Sequence, residues 1–149
     1  MSNKLTFHAA GPEDAEILLR WNLHHAKTYE TAMLDWQRVE ALLDDKLRQE
    51  LPRCRVICRN GEKIGYFSLQ RRPEYLELDN FWVFPPFQCC GIGSQVLRYC
   101  KREAKKAGLP LRLFVFCKNE RAVRLYERSG FRETTKFHQS RILMECRPE

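Results

Sequence analysis

Val83-Phe84-Pro85-Pro86-Phe87-Gln88-Cys89-Cys90-Gly91-Ile92-Gly93 carries a change of period from strand to helix. Upstream, the apolar alternation of Tyr75 to Phe84 reads as a strand that Pro85-Pro86 ends. Downstream, Ile92, Val96, Tyr99 or Cys100, and Glu103 or Ala104 follow helical spacing, so Gly91 to Ala107 reads as a helix that Gly108 stops. At such a helix start the first backbone N–H groups have no intrahelical partner, and the helix dipole adds partial positive charge. An anion site results. Gly91 and Gly93 remove Cβ atoms that would hold a phosphate away. The amides of Gln88, Cys89, Cys90, Gly91, Ile92, Gly93 and Ser94 are therefore expected to cradle a pyrophosphate. A glycine pair alone would serve equally well as a plain connection.

Working outward, Leu5 to Ala9 reads as a short strand and Gly11-Pro12 as a helix start. The helix follows over Glu13 to His25, with Asp14 and Glu16 near its positive end. A second helix is expected over Asp35 to Gln49, where Val39, Leu42, Leu43 and Leu47 form one stripe. Arg55 to Arg59 and Lys63 to Gln70 flank Asn60-Gly61, the strongest short hairpin signal. Beyond the central helix come a strand over Leu111 to Cys117, a helix over Glu120 to Arg128, and closing strands from Gly130-Phe131 to about Cys146. The order predicts an α/β (α+β) fold, with a mixed sheet rather than a doubly wound one.

Length and composition bound the rest. A chain of 149 residues, 44% hydrophobic and 30% charged, reads as a single domain over residues 1–149 with a real core. No apolar run approaches the ~20 residues that span a bilayer, and Met1 to Thr6 lacks a signal-peptide pattern. The expected location is cytoplasmic, with no membrane partner. Seven cysteines without paired CxxC spacing read as free thiols. A metal site from Cys54, Cys58, His24 and His25 lacks the usual ligand pairs, so no metal is expected. The net charge of +7 suits an anionic partner, whether nucleic acid, a membrane surface or a polyphosphate cofactor. Lys101, Arg102, Lys105 and Lys106 read as a solvated helix face, so a nucleic-acid partner is not expected.

Two motifs together resemble the GNAT superfamily of N-acetyltransferases. Val83-x-Pro85-x-x-Gln88-x-x-Gly91-x-Gly93 is similar to its cofactor-binding signature. Asn119-x-x-Ala122-x-x-Leu125-Tyr126-x-x-x-Gly130-Phe131 is similar to the second, at the expected distance. The resemblance implies a GNAT-like, mostly antiparallel sheet flanked by about four helices, with acetyl-CoA as acyl donor. It implies transfer to a primary amine in a ternary complex: a small cationic amine, an amino acid or an exposed lysine. A non-catalytic acyl-CoA-binding or regulatory module of the same fold is the alternative, and a homodimer is compatible with either.

The resemblance also implies a thioester lying in a split between the strands Tyr75 to Phe84 and Leu111 to Cys117. Phe81, Trp82 and Val83 would hold the pantetheine arm, Tyr126 would protonate the leaving thiolate, and Asn119 would contact the cofactor as well as cap its helix. Strict alternation would set Glu77, Asp79, Phe81 and Val83 on one face, and the resemblance implies that Glu77 or Asp79 is the general base. Trp21, Tyr29, Trp36, Phe81 and Trp82 would supply aromatic walls for the acceptor. Two departures stand out. Phe114 occupies the place where ribosomal-peptide members carry a glutamate, and Cys89-Cys90 lacks the family's basic residue, for which Arg98, Arg124 or Lys118 would compensate.

Overall fold

The structure, a computed structural model, describes residues 4–137 and 140–148. The reading of Met1 to Thr6 therefore lies partly outside the described residues.

Strand β1 (Leu5–Ala9) leads into helix α1 (Pro12–Tyr29), which holds Pro12 in its first turn, where a missing N–H costs nothing. The helix runs past the expected His25, because nothing between Ala26 and Tyr29 breaks it. Helix α2 (Trp36–Glu50) is capped by Asp35, whose carboxylate accepts the Arg38 amide at 3.3 Å. Strands β2 (Cys54–Arg59) and β3 (Glu62–Arg71) join at Asn60-Gly61, both with positive φ as a tight hairpin of this type requires. Then come β4 (Leu76–Val83), α3 (Ile92–Ala107), β5 (Leu111–Phe116), α4 (Glu120–Arg128), β6 (Arg132–Phe137) and β7 (Arg141–Cys146).

The seven strands form one sheet in the order β1-β2-β3-β4-β5-β7-β6. Every pairing is antiparallel except β4 with β5, which is parallel. One face buries Leu76, Leu78, Leu111 and Leu113 with Ile92, Val96 and Leu97 of α3 and with Tyr126 of α4. The other buries Val56 and Tyr66 with Leu18 and Leu19 of α1 and Leu47 of α2. Each such side chain withdrawn from water contributes about 1.5–3 kcal/mol.

Strand β4 departs from the strict alternation expected of it. Its register against β3 slips between Tyr66 and Ser68, and Asn80 takes a left-handed conformation with φ of 51°. Asparagine tolerates that region better than other side chains with a Cβ. Asn80 is buried, donates to Ser68 Oγ at 3.1 Å and accepts from Asn22 Nδ2 at 3.3 Å. This bulge reverses the parity of the strand. Asp79 meets Lys46 of α2, whereas Phe81 and Val83 pack into the core under α3 and α4. Glu77 and Asp79 thus lie on the opposite face from Phe81 and Val83, which corrects the sequence expectation.

Gly65 makes the neighbouring strand possible at this point. A Cβ there would lie 2.2 Å from the Trp82 carbonyl oxygen. Only glycine lets β3 and β4 approach so closely.

Candidate active site

Strands β4 and β5 are in register only at Leu76↔Leu111 and Glu77↔Arg112. Beyond that point they part: β5 stays with β7, and among the described residues Leu78 to Val83 have no strand partner on that side. Parallel strands tied at one end and open at the other leave a wedge of unpaired backbone N–H and C=O groups. The expected split is present.

The chain after β4 makes a short 3-10 turn over Pro85–Phe87, and Gln88 Nε2 donates back to the Val83 carbonyl at 2.8 Å. Gly91 caps α3 with φ of 80°, a left-handed conformation that favours glycine. The Gln95 amide donates to the Gly91 carbonyl at 3.1 Å, so the amides of Ile92, Gly93 and Ser94 stand outside the helical ladder. The two glycines thus serve separate ends. Gly91 supplies the turn, and a Cβ on Gly93 would come within 3.3 Å of Leu125 and 3.6 Å of Phe81. Gly93 is a packing glycine that seats α3 against α4.

A cleft of about 700 Å³ runs from this helix start into the wedge. Phe81, Trp82, Val83, Gln88, Cys89, Gly91, Gly93, Ser94, Asn119 and Tyr126 line it. Two of the expected cofactor contacts do not. Ile92 is 1% exposed and turned into the core, so only its amide is available. The Cys90 thiol points to the Gln88 carbonyl instead.

Tyr126 stands on α4 between Phe81 and Phe131, with ring centroids 6.4 and 5.7 Å away. Among the described residues its hydroxyl makes no hydrogen bond, yet no buried side-chain oxygen or nitrogen lacks a partner. The hydroxyl is therefore the accessible end of a buried ring. Burial, then the charge of Asp79, push its pKa up, so it stays a proton donor across the physiological range. Asn119 caps α4, accepting the Ala122 amide at 3.3 Å.

The structure does not bring Glu77 or Asp79 to the cleft wall. Glu77 accepts from Arg72 at 3.2 Å, and Asp79 accepts from Lys46 at 3.3 Å and from the Asn80 amide at 2.8 Å. Burial works against the Lys46 charge, but Asp79 and Glu50 outweigh it and raise the lysine. Burial raises the neighbouring Glu50. Asp79 is nevertheless the charge felt most strongly at Tyr126.

Helix α1 contributes a wall that the sequence reading only half anticipated. Trp21 stacks on Trp82 at 5.2 Å and 10°, as expected of aromatic walls, but His24 and His25 line the cleft too. His25 packs among Trp21, Tyr29 and Phe116 at 4.9, 5.0 and 5.6 Å. Burial, with the nearby His24, lowers it to about 4, so the ring is neutral at pH 7. Trp36 is not part of this wall; Lys27 lies over its ring. The cation beside Cys89 is Arg121, whose guanidinium donates to the thiol sulfur. Arg121 and Arg128 line the cleft in place of the expected Arg98, Arg124 and Lys118. Their position one helical turn or more apart on α4 was the available signal. Among the described residues no three histidine, cysteine or acidic side chains converge as metal ligands, and none of the seven cysteines is in a disulfide.

The model of the acetyltransferase (GNAT) family matches residues 17–131. This chain belongs to that family. It is 33% identical over 87 residues to an aminoalkylphosphonate N-acetyltransferase of Salmonella typhimurium, covering 54% of this chain and 56% of the relative. It is 30% identical over 76 residues to the uncharacterized N-acetyltransferase YycN of Bacillus subtilis, covering 48% and 49%. The chain thus spans about half the length of these curated relatives. Among solved structures, the PaiA N-acetyltransferase of Thermoplasma acidophilum in complex with coenzyme A shares the fold. Its TM-score is 0.72 at 20% identity, over 97% of this chain and 99% of that one. No helix among the described residues is long and apolar enough to cross a membrane.

Proposed function

We propose that the chain is an acetyl-CoA-dependent N-acetyltransferase that acetylates a small primary amine by direct attack. The observation that carries this reading is the wedge between β4 and β5, opening beside the free amides of α3 with the Tyr126 hydroxyl inside it. The parts fit an acyl-CoA. Ile92, Gly93 and Ser94 offer amides to a pyrophosphate, Arg121 adds charge where Cys89-Cys90 provides none, and the unpaired edge of β4 accepts an amide-bearing arm. The donor would supply an activated acetyl carbonyl and a thiolate leaving group.

The chain's own residues would do the rest. The Val83 region of β4 presents backbone to the carbonyl oxygen as charge develops. Tyr126 gives its phenolic proton to the departing sulfur. Asp79 receives the proton of the attacking amine through water and releases it to solvent, while the Lys46 ammonium holds the carboxylate in place. Asp79 is preferred to Glu77 because its charge reaches Tyr126, while Glu77 sits where β4 and β5 are still joined. Trp21 and Trp82 give the acceptor a flat apolar wall, and neutral His25 leaves the amine free to approach. The Salmonella relative, an aminoalkylphosphonate N-acetyltransferase, supports a small amine as acceptor.

Calorimetry with acetyl-CoA, followed by thiol release against a panel of amines, tests this. Binding with amine-dependent thiol release is expected. In Tyr126→Phe, thiol release should fall by about 10²–10⁴ with unchanged acetyl-CoA affinity. Asp79→Asn should flatten the acidic limb of the pH–rate profile, and Glu77→Gln should not. Binding with no turnover on any amine would mark a non-catalytic acyl-CoA-binding module.

A further inference from the structure

A second cavity of about 440 Å³ lies against the later turns of α3, and it shares no lining residue with the cleft above. Arg98, Lys101, Arg102 and Lys105 line it at spacings of three, four and seven, one stripe of the helix, with Arg147 beyond the end of β7. Among the described residues no carboxylate lines it. At 1.5 Å of rise per residue, Lys101 stands roughly 14 Å along α3 from Ile92, where the donor site begins.

Like charges at these spacings repel one another and weaken a helix. A solvated face normally offsets them with interleaved acids, as Glu103 does for Lys106 at 3.6 Å. Here that compensation is missing. Among the described residues Arg98, Arg102 and Lys105 form no ion pair. Arg147 pairs with Glu145 at 3.0 Å, and Arg112 already holds the other oxygen of that carboxylate at 2.7 Å. Lys101 is fixed in place, donating to the Ser129 carbonyl at 2.7 Å. A concave site with one sign of charge concentrates the field and draws in counter-ions. Two or three guanidinium groups around a recess match phosphate oxygens in paired geometry. The volume lies in the range of small-molecule sites, not of an extended strand-binding groove.

We propose that this recess is a second anion site, specific for a small molecule carrying at least two phosphate groups and separate from the donor cleft. The ligand is a linear polyphosphate or the polyphosphate of a nucleotide. Calorimetry on the protein saturated with coenzyme A, at constant ionic strength, tests it with pyrophosphate, tripolyphosphate, ATP and a 20-nucleotide single-stranded DNA as probes. Tripolyphosphate or ATP should bind with coenzyme A in place, and ATP binding without tripolyphosphate binding assigns the nucleotide. Arg98→Gln with Arg102→Gln should weaken that binding at least about tenfold, and Arg147→Gln, away from α3, should weaken it several-fold. All three substitutions are at exposed positions, and coenzyme A affinity should stay within about twofold. The proposal is overturned if no phosphate probe binds the saturated protein, or if the DNA binds more tightly than ATP. It is equally overturned if the double variant weakens coenzyme A but not dephospho-coenzyme A, for the stripe would then belong to the donor's 3′-phosphate.

Discussion

Asp14 shows how much one side chain holds in place. It is 1% exposed in the first turn of α1, and it accepts from the Tyr66 hydroxyl at 2.6 Å, the Gly11 amide at 2.8 Å and Lys63 at 3.0 Å. Burial alone would raise its pKa, but these three donors outweigh it and leave the carboxyl below its ordinary value. A group with a depressed folded pKa stabilises above its unfolded value, here 3.8, and that contribution fades as pH falls through the folded one. Asp14→Asn should therefore lower stability at pH 7 by about 1–3 kcal/mol and show a smaller loss between pH 5 and 3 than the parent. Urea unfolding at several pH values measures both. Asp14 could be read in the sequence as a favourable charge at a helix start, but its bond to Tyr66, 52 positions away, could not. Such partners exist only once the sheet has formed.

Elements were legible where the signal was local. The Asn60-Gly61 hairpin, the bounds of β1 and of α4, and the Pro85-Pro86 stop all follow from short-range chemistry, and the structure has them in place. The parity of β4 was not, because a bulge adds one residue without any periodic mark. Asn80 inside an apolar run was the one hint, since asparagine is depleted in strands. The opening of β4 away from β5 depends equally on β3, which is held close to β4 by Gly65. Gly65→Ala would set a methyl group against the Trp82 carbonyl and should cost about 3 kcal/mol, near the upper end for overpacking. The thermal midpoint should fall accordingly. Acetyl-CoA affinity should weaken with it, since Trp82 and Val83 line the cleft.

At the scale of the whole molecule, α1 and α2 cover one face of the sheet and α3 and α4 the other, and the wedge connects the two sides. The wall from α1 was half legible. Its aromatic residues were evident, but which of them reach the cleft depends on how α1 crosses β4. His25 gives that packing a pH signature. In the unfolded chain it takes up a proton below about 6.5, whereas in the folded protein it does so only near 4, so protons favour unfolding across that window. Stability should fall as pH drops from 6.5 to 4, and His25→Phe should flatten the slope. A slope unchanged by that substitution would show that the imidazole is not held in the apolar wall. The left-handed asparagine in β4 also has a genetic consequence. Losing that one codon would restore an even two-residue rhythm in which Phe81 and Val83 keep the face, opposite Asp79, that they already occupy. The mutant should keep its two layers and lose the buried amide that ties Ser68 to Asn22. A substitution that straightens the backbone while keeping the chain length is the harsher change, because it would exchange the faces of Phe81 and Trp82.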